Sequence, residues 1–279
     1  MIKKLQSLDV RILYLIMVIF VTYPLVRPIG LPLVITDSVR ATYERINDRV
    51  EAGDIVFIDV DFDPSSAPEL LPQFMAMGKH LADRGAKIIL FSMLPGGFMY
   101  QRTFQEIMEG EPWNLAYGED IISLPYKAGN EAAYAAFGQD FKGLYTEDYW
   151  GQPLTGMPLW SRIQGPADAK LAIVYCAGDQ AVWFIRQVGQ VTGLEVMNGT
   201  VASSGAYMTP YWQSRQLTGF VVGMSGAAEY EVLAGHPGRA AAGMDGQSFG
   251  HMLITLFVIL GNIGYFASKR AAERARGDD

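Results

Sequence analysis

Asp59, Asp61 and Asp63 stand two residues apart at the end of an apolar run, in the segment DIVFIDVDFDPSSAP from Asp54 to Pro68. Alternate side chains of a strand share a face, so the three carboxylates are expected to line up at the strand's C-terminal end. Such a row can hold a hard divalent cation, with Mg²⁺ the natural candidate, or supply a nucleophile and a proton carrier. Ser92, at the end of a second apolar run, and Asp179, in the Gly178-Asp179 pair after a later one, are the residues that could join it. Ligands of open α/β sheets bind at the C-terminal ends of the strands, where all of these residues fall. A plainer use is equally open. Carboxylates are favoured in turns and at helix N-termini, and Pro64 to Glu69 reads as a strand end passing into a helix capped by Ser65 or Ser66.

The elements that must position these residues follow from periodicity. Residues 36–53 carry Val39, Tyr43, Ile46 and Val50 on one helical face and end at Gly53. The first strand comes next, then a helix over Ala67 to Asp83 with Leu70, Leu71, Phe74, Met77 and Leu81 inward, then a buried strand over Lys87 to Met93. Strand, helix and strand make a crossover unit with a parallel sheet. The pattern recurs: a helix over Phe98 to Met108, a short strand over Asp120 to Leu124, and a short helix over Asn130 to Phe137. A strand over Leu171 to Cys176 follows, then a helix with Val182, Ile185, Val188 and Val191, and a fifth strand over Leu194 to Met197. Residues 139–168 have little periodicity and read as a long ordered loop, 207–234 as helix in pieces, and 235–249 as a Gly-rich approach to the last apolar run. The expected fold class is α/β, a doubly wound, mostly parallel sheet with Rossmann-like layers.

Both ends are apolar. Ile12 to Val26, extended by Val10, and Met252 to Ala267 read as transmembrane helices. No small-x-small cleavage site follows the first, which argues for an anchor rather than a signal peptide. Lys269 and Arg270 directly follow the second, and Lys3, Lys4 and Arg11 precede or open the first. Positive charge marks the cytoplasmic side, so both termini are expected inside a prokaryotic cell or inner membrane and the main domain outside. The expected division is 1–35 (tip and first span), 36–249 (extracytoplasmic domain) and 250–279 (second span and basic tail). The first 26 residues and the tail after 268 hold seven of the 22 basic and four of the 29 acidic residues, leaving the chain between them with a net charge of about −10. Such a surface repels nucleic acid. Cys176 is the sole cysteine, so the chain forms no internal disulfide.

Apolar strand ending Asp59-x-Asp61, Ser92 and Gly178-Asp179 together resemble the haloacid-dehalogenase-type phosphatases. That likeness implies Asp59 as nucleophile, Asp61 as acid/base and Mg²⁺ as cofactor. Asp63-Pro64 depart from the family's pattern, and no lysine is clearly placed for its third motif. Ser203-Ser204-Gly205 invites comparison with the nucleophile turn of membrane-bound serine peptidases, with His236 the nearest histidine in sequence. The three histidines, His80, His236 and His251, lie far apart and in no zinc-ligand spacing. Leu124 to Gly138, Met224 to Leu233 and Met244 to Phe266 are similar to a group of uncharacterised prokaryotic two-span membrane proteins. This resemblance implies an extracytoplasmic α/β domain between two spans and assigns no catalytic residue.

Tyr149, Trp150 and Trp160 in the long loop are candidates for a protein–protein surface. Gly261, Asn262 and Gly264 are candidates for a helix–helix contact in the membrane, with Asn262 bonding its own backbone as the alternative. The expected function is a membrane-anchored structural or assembly protein without enzymatic activity or cofactor. It would be embedded in membrane lipid, as a homo-oligomer or with other subunits of a membrane complex. The competing readings are a membrane-tethered, metal-dependent hydrolase at Asp59 and Asp61, and a solute-binding domain over Ser92 and Asp179.

Overall fold

A computed structural model describes residues 9–277 of the chain. Lys3 and Lys4, on which the expected orientation partly rests, lie outside the described residues.

Two compact units are present, one from Leu33 to Ala240 and one combining the two ends of the chain, to Pro32 and from Ala241. The larger unit is built on six parallel strands: β1 (Ile55–Asp61), β2 (Lys87–Phe91), β3 (Ile121–Ser123), β4 (Leu171–Cys176), β5 (Glu195–Thr200) and β6 (Gly219–Val222). Their spatial order is β3-β2-β1-β4-β5-β6. β1 is therefore central, with Asp59 level with Phe91 of β2 and Val174 of β4, and Asp61 level with Cys176. The chain leaves β1 toward β2 and leaves β4 toward β5, so the order reverses between β1 and β4. This is the switch point at which doubly wound sheets open a crevice.

Helices cover both faces, and the alternation along β1 decides which side chain meets which layer. Val56, Ile58 and Val60 face α2 (Asp37–Arg49), α3 (Ala67–Asp83), α4 (Phe98–Glu109) and α10 (Gly223–Leu233) through Ile46, Leu70, Phe74, Phe104 and Tyr230. Phe57 faces the opposite layer, made by α5 (Glu131–Gln139), α6 (Phe141–Leu144), α7 (Pro158–Ser161), α8 and α9 (Ala202–Gln213). α8 runs Gln180–Phe184, widens into a π-helical turn at Ile185–Gly189 and finishes with Gln190–Thr192. Phe57 meets Phe91, Phe137 and Phe141 edge to face, with centroids 6.0, 5.1 and 5.2 Å away. Burying each of these rings contributes roughly 2–3 kcal/mol, so the aromatic layer is a main source of the domain's stability.

The expected five strands are present, and a sixth, β6, lies where helix in pieces was expected. Its four residues, GFVV, are too short to show a period, and Gly223 after it takes a left-handed φ of +65°. β6 is fixed from outside its own sequence: Thr42 of α2 accepts the Phe220 N–H at 2.7 Å through its hydroxyl. The long loop contains α6 and α7, and Trp160 within it is buried.

In the smaller unit, α1 (Val10–Val26) is apolar but shorter than a full span. α11 (Arg239–Gly277) contains one stretch, Arg239–Arg270, long and apolar enough to cross a membrane. The expected Gly-rich approach over 235–249 is instead mostly helix from Arg239 onward. Its glycines serve packing: a Cβ on Gly246 would lie 2.9 Å from the Val21 carbonyl oxygen. Asp245 is buried and accepts three backbone N–H groups, from Ile29 (2.9 Å), Gly30 (2.8 Å) and Leu31 (2.9 Å). Gly30 has φ +74°, the left-handed conformation that turns successive N–H groups toward one carboxylate.

A buried acid pair and an exposed aromatic patch

β1 delivers Asp59 and Asp61 to the aromatic face of the sheet. Both are sealed, at 1% and 2% exposure. α5 brings Tyr134 over them, and its hydroxyl lies 2.7 Å from Asp59 Oδ2 and 2.7 Å from Asp61 Oδ2. A phenol has one hydrogen to donate, so the second of these contacts requires a hydrogen on a carboxyl. The surroundings decide which. Asp61 Oδ1 accepts the N–H groups of Met93 (2.6 Å) and Leu94 (3.0 Å) and stands 2.9 Å from Ser92 Oγ. Asp59 bonds only to Tyr134 and Asp61 among the described residues, and its Oδ1 is buried without a partner there.

Burial pushes Asp59 well above the ordinary carboxyl value, and the Asp61 charge adds to the shift. Burial raises Asp61 as well, but its hydrogen bonds from Tyr134, Ser92 and Met93 pull the other way. Asp59 is therefore the neutral member of the pair, its hydrogen shared with Asp61 and the Tyr134 oxygen. Burial raises the Tyr145 pKa, the two nearby aspartates add to the shift, and among the described residues its hydroxyl has no hydrogen-bond partner.

The loop after β2 closes over this pair because it contains Gly97. A Cβ there would sit 1.8 Å from the Val60 carbonyl oxygen and 2.4 Å from Ser92 Oγ. The loop consequently folds down on the strand end and aims its N–H groups at Asp61. Sequence spacing brings Asp59, Asp61 and Ser92 together as expected; Asp63 and Asp179 stay apart from them. β1 ends at Asp61, and Asp63 turns back to accept Ser65 N (2.9 Å), Ser65 Oγ (2.6 Å) and Ser66 N (3.3 Å). It is an Asx-type turn leading into α3, and those bonds lower its pKa, that from the Ser65 hydroxyl most of all. Asp179 is exposed, and Tyr207 donates a hydrogen bond to it. Among the described residues, no group of three or more His, Cys, Asp or Glu side chains is placed to hold a metal ion. Asp59, Asp61 and two phenols are what the site offers a cation.

Ser204 donates to the Ala177 carbonyl at 2.7 Å, while His236 Nε2 is 2.5 Å from Asp83 Oδ2 and its ring lies beside Trp113. The two do not meet. Cys176 is buried on β4, and burial pushes its thiol up to about 12, which makes it inert as a nucleophile.

A second feature occupies the same C-terminal edge of the sheet. Asp148 is buried, and its Oδ1 accepts the N–H groups of Trp150 (2.8 Å) and Gln152 (2.7 Å) while Oδ2 accepts the Tyr117 hydroxyl (2.7 Å). Tyr149 N–H reaches the Ser123 carbonyl at the end of β3 (2.8 Å). This fixes a tight turn that presents Tyr149 and Trp150 edge to face at 4.8 Å, with Phe98 stacked on Tyr149 at 5.3 Å and the Arg102 guanidinium 5.7 Å from the Trp150 ring. Phe98, Met99 and Trp150 are 39%, 47% and 44% exposed. Trp160, expected beside them, instead packs on Phe141 at 4.9 Å with Lys142 Nζ 4.0 Å from its ring. Periodicity could not reveal Phe98 and Met99 as partners of the loop, since they begin a helix some 50 residues earlier.

In α11, Asn262 donates to the Val258 carbonyl at 2.8 Å, the self-satisfied alternative. Gly264 is buried, and Gly261 has open space where a Cβ would be.

Compared with protein families, curated proteins and solved structures, the chain matches none.

Proposed function

We propose that this chain is a membrane-anchored assembly protein, self-associating through its α/β domain. The observation that carries the reading is the contrast at one sheet edge: the acid pair is sealed and internally hydrogen-bonded, while the Phe98–Tyr149–Trp150 patch is rigid and exposed. Rigid aromatics at a fixed turn lose little entropy on binding and are the usual anchors of interfaces. Arg102 and Glu106, ion-paired at 2.7 Å next to the patch, give it both charge signs and make it self-complementary. Anchoring confines the copies to a plane and raises their effective concentration, so a modest patch suffices.

α11 is the anchor by length and composition, with Lys269 and Arg270 closing its apolar run on the cytoplasmic side. α1 is a second, shorter span in this reading, which places both termini inside and the α/β domain outside a prokaryotic cell membrane. Gly261 leaves room for a neighbouring helix.

Light scattering of the detergent-solubilised full chain tests it. We expect a discrete particle several times the 30.7 kDa chain mass, reduced by Trp150→Ala combined with Phe98→Ala. A monomeric wild type ends the proposal.

A second reading, a phosphatase-like hydrolase with Mg²⁺, draws on one observation: Ser92 and Asp61 share a hydrogen bond at the switch-point strand. It requires Tyr134 to withdraw so that substrate reaches Asp59. A screen of phosphate esters with Mg²⁺ decides it: turnover abolished by Asp59→Asn supports the hydrolase, and none in the wild type removes it.

A further inference from the structure

A groove of about 570 Å³ lies between α3, α4 and the segment that follows α10. That size is typical of small-molecule sites. Its floor is apolar because two helical stripes face each other, Leu71 and Met75 of α3 against Tyr100 and Ile107 of α4. Its rim is charged. Lys79 continues the α3 stripe and stands 5.6 Å from the Trp113 ring, which also borders His236. Arg239, three residues after His236, completes that wall.

The two cations are unpaired. Lys79 and Arg239 have no carboxylate within ion-pair distance among the described residues. His236 is satisfied by Asp83, and the Glu231 carboxylate accepts the Gly238 (2.9 Å) and Ala240 (3.2 Å) N–H groups. Asp83 and Glu231 thus already have donors, whereas the two cations have no carboxylate partner. An apolar trough with two unpaired cations at its rim matches an elongated anionic amphiphile. Arg239 is also the first residue of α11, the helix long enough to cross a membrane.

We infer that this groove holds one acyl chain of an anionic membrane phospholipid, with the phosphate between Lys79 and Arg239. The inference rests on the membrane-anchored reading above and adds a lipid to it.

The test uses the delipidated full chain in detergent. Native mass spectrometry follows its titration with phosphatidylglycerol and, separately, phosphatidylcholine of the same acyl chains. Each juxtaposed cation is worth about 1 kcal/mol to an anionic headgroup, and two give on the order of a tenfold or greater preference. Expected are one phosphatidylglycerol per chain bound at least about tenfold more tightly than phosphatidylcholine, loss of that preference in K79E/R239E, and weaker binding of both lipids in Leu71→Trp. Equal affinity for the two lipids in the wild type overturns the inference, as does phosphatidylglycerol binding unchanged in both variants. Displacement by oleate at lower concentration than phosphatidylglycerol overturns it too, by making the site one for free fatty acid. Alkaline carbonate extraction separates the two readings: a chain that stays in the membrane pellet yet binds no phosphatidylglycerol defeats the groove alone, whereas a chain released to the supernatant defeats the anchor.

Discussion

The two faces of the sheet bury titratable groups by opposite logic. On one face, burial raises the Asp59 pKa and the neighbouring Asp61 adds to the shift, so Asp59 is the neutral member of the pair. On the other, His80 of α3 is buried with Nδ1 2.8 Å from the Tyr230 hydroxyl and its ring stacked on Tyr43 at 4.7 Å. Burial lowers it from 6.5 to about 4, so it too is neutral at neutral pH. Both choices avoid a desolvated charge, but the linkage to folding has opposite sign. For Asp59, stability is fully present below the unfolded value of 3.8 and is lost as pH rises toward the raised folded one. For His80, stability is present above 6.5 and is lost as pH falls toward about 4. Between about 4 and 6.5 the two groups therefore move stability in opposite directions.

The comparison can be broken at three points, each followed by urea denaturation of the full chain in detergent. Asp61→Ala has the largest expected effect, about 3–5 kcal/mol of destabilisation, because it strands the Met93 N–H in the interior and removes the acceptor that Leu94, Ser92 and Tyr134 share. A loss below about 1 kcal/mol would mean that the loop after β2 simply opens to water. Asp59→Asn comes next. It keeps the shape and one donor while removing the titration, so relative to wild type it gains about 1.4 kcal/mol per pH unit above 3.8 until the folded value is passed. A difference constant from pH 4 to 8 would show Asp59 to be ionised in the folded protein. His80→Gln is the smallest at neutral pH, about 1 kcal/mol for the altered bond to Tyr230. Its sharper signature is the disappearance of the wild-type loss between pH 6.5 and about 4.

The chemistry-bearing strand was legible because a period of two along IVFIDVD puts Asp59 and Asp61 on one face, and because strand ends gather Ser92 beside them. Asp63 misled: spacing alone continues the row, but the strand stops at Asp61 and the backbone turns. Tyr134 left a faint signal, a tyrosine in the buried Ala133–Tyr134–Phe137 stripe, whose hydroxyl needed a partner that no local pattern names. β6 and the Phe98–Trp150 patch are products of tertiary contact, invisible to periodicity. Trp160 shows the converse, since an aromatic in an irregular loop is as easily core as surface.

The Asp245 clasp has a consequence in time. Its three partners, Ile29, Gly30 and Leu31, are made well before the carboxylate that gathers them, which follows 214 to 216 residues later. Thr36 likewise waits 193 residues for Glu229, which accepts its N–H and hydroxyl. Closing so long a loop is slow relative to local helix formation. The segment after α1 must leave these groups to water while the whole sheet is built, and it locks only when α11 supplies Asp245. A chain truncated anywhere before residue 245 is thus left with an open linker after α1.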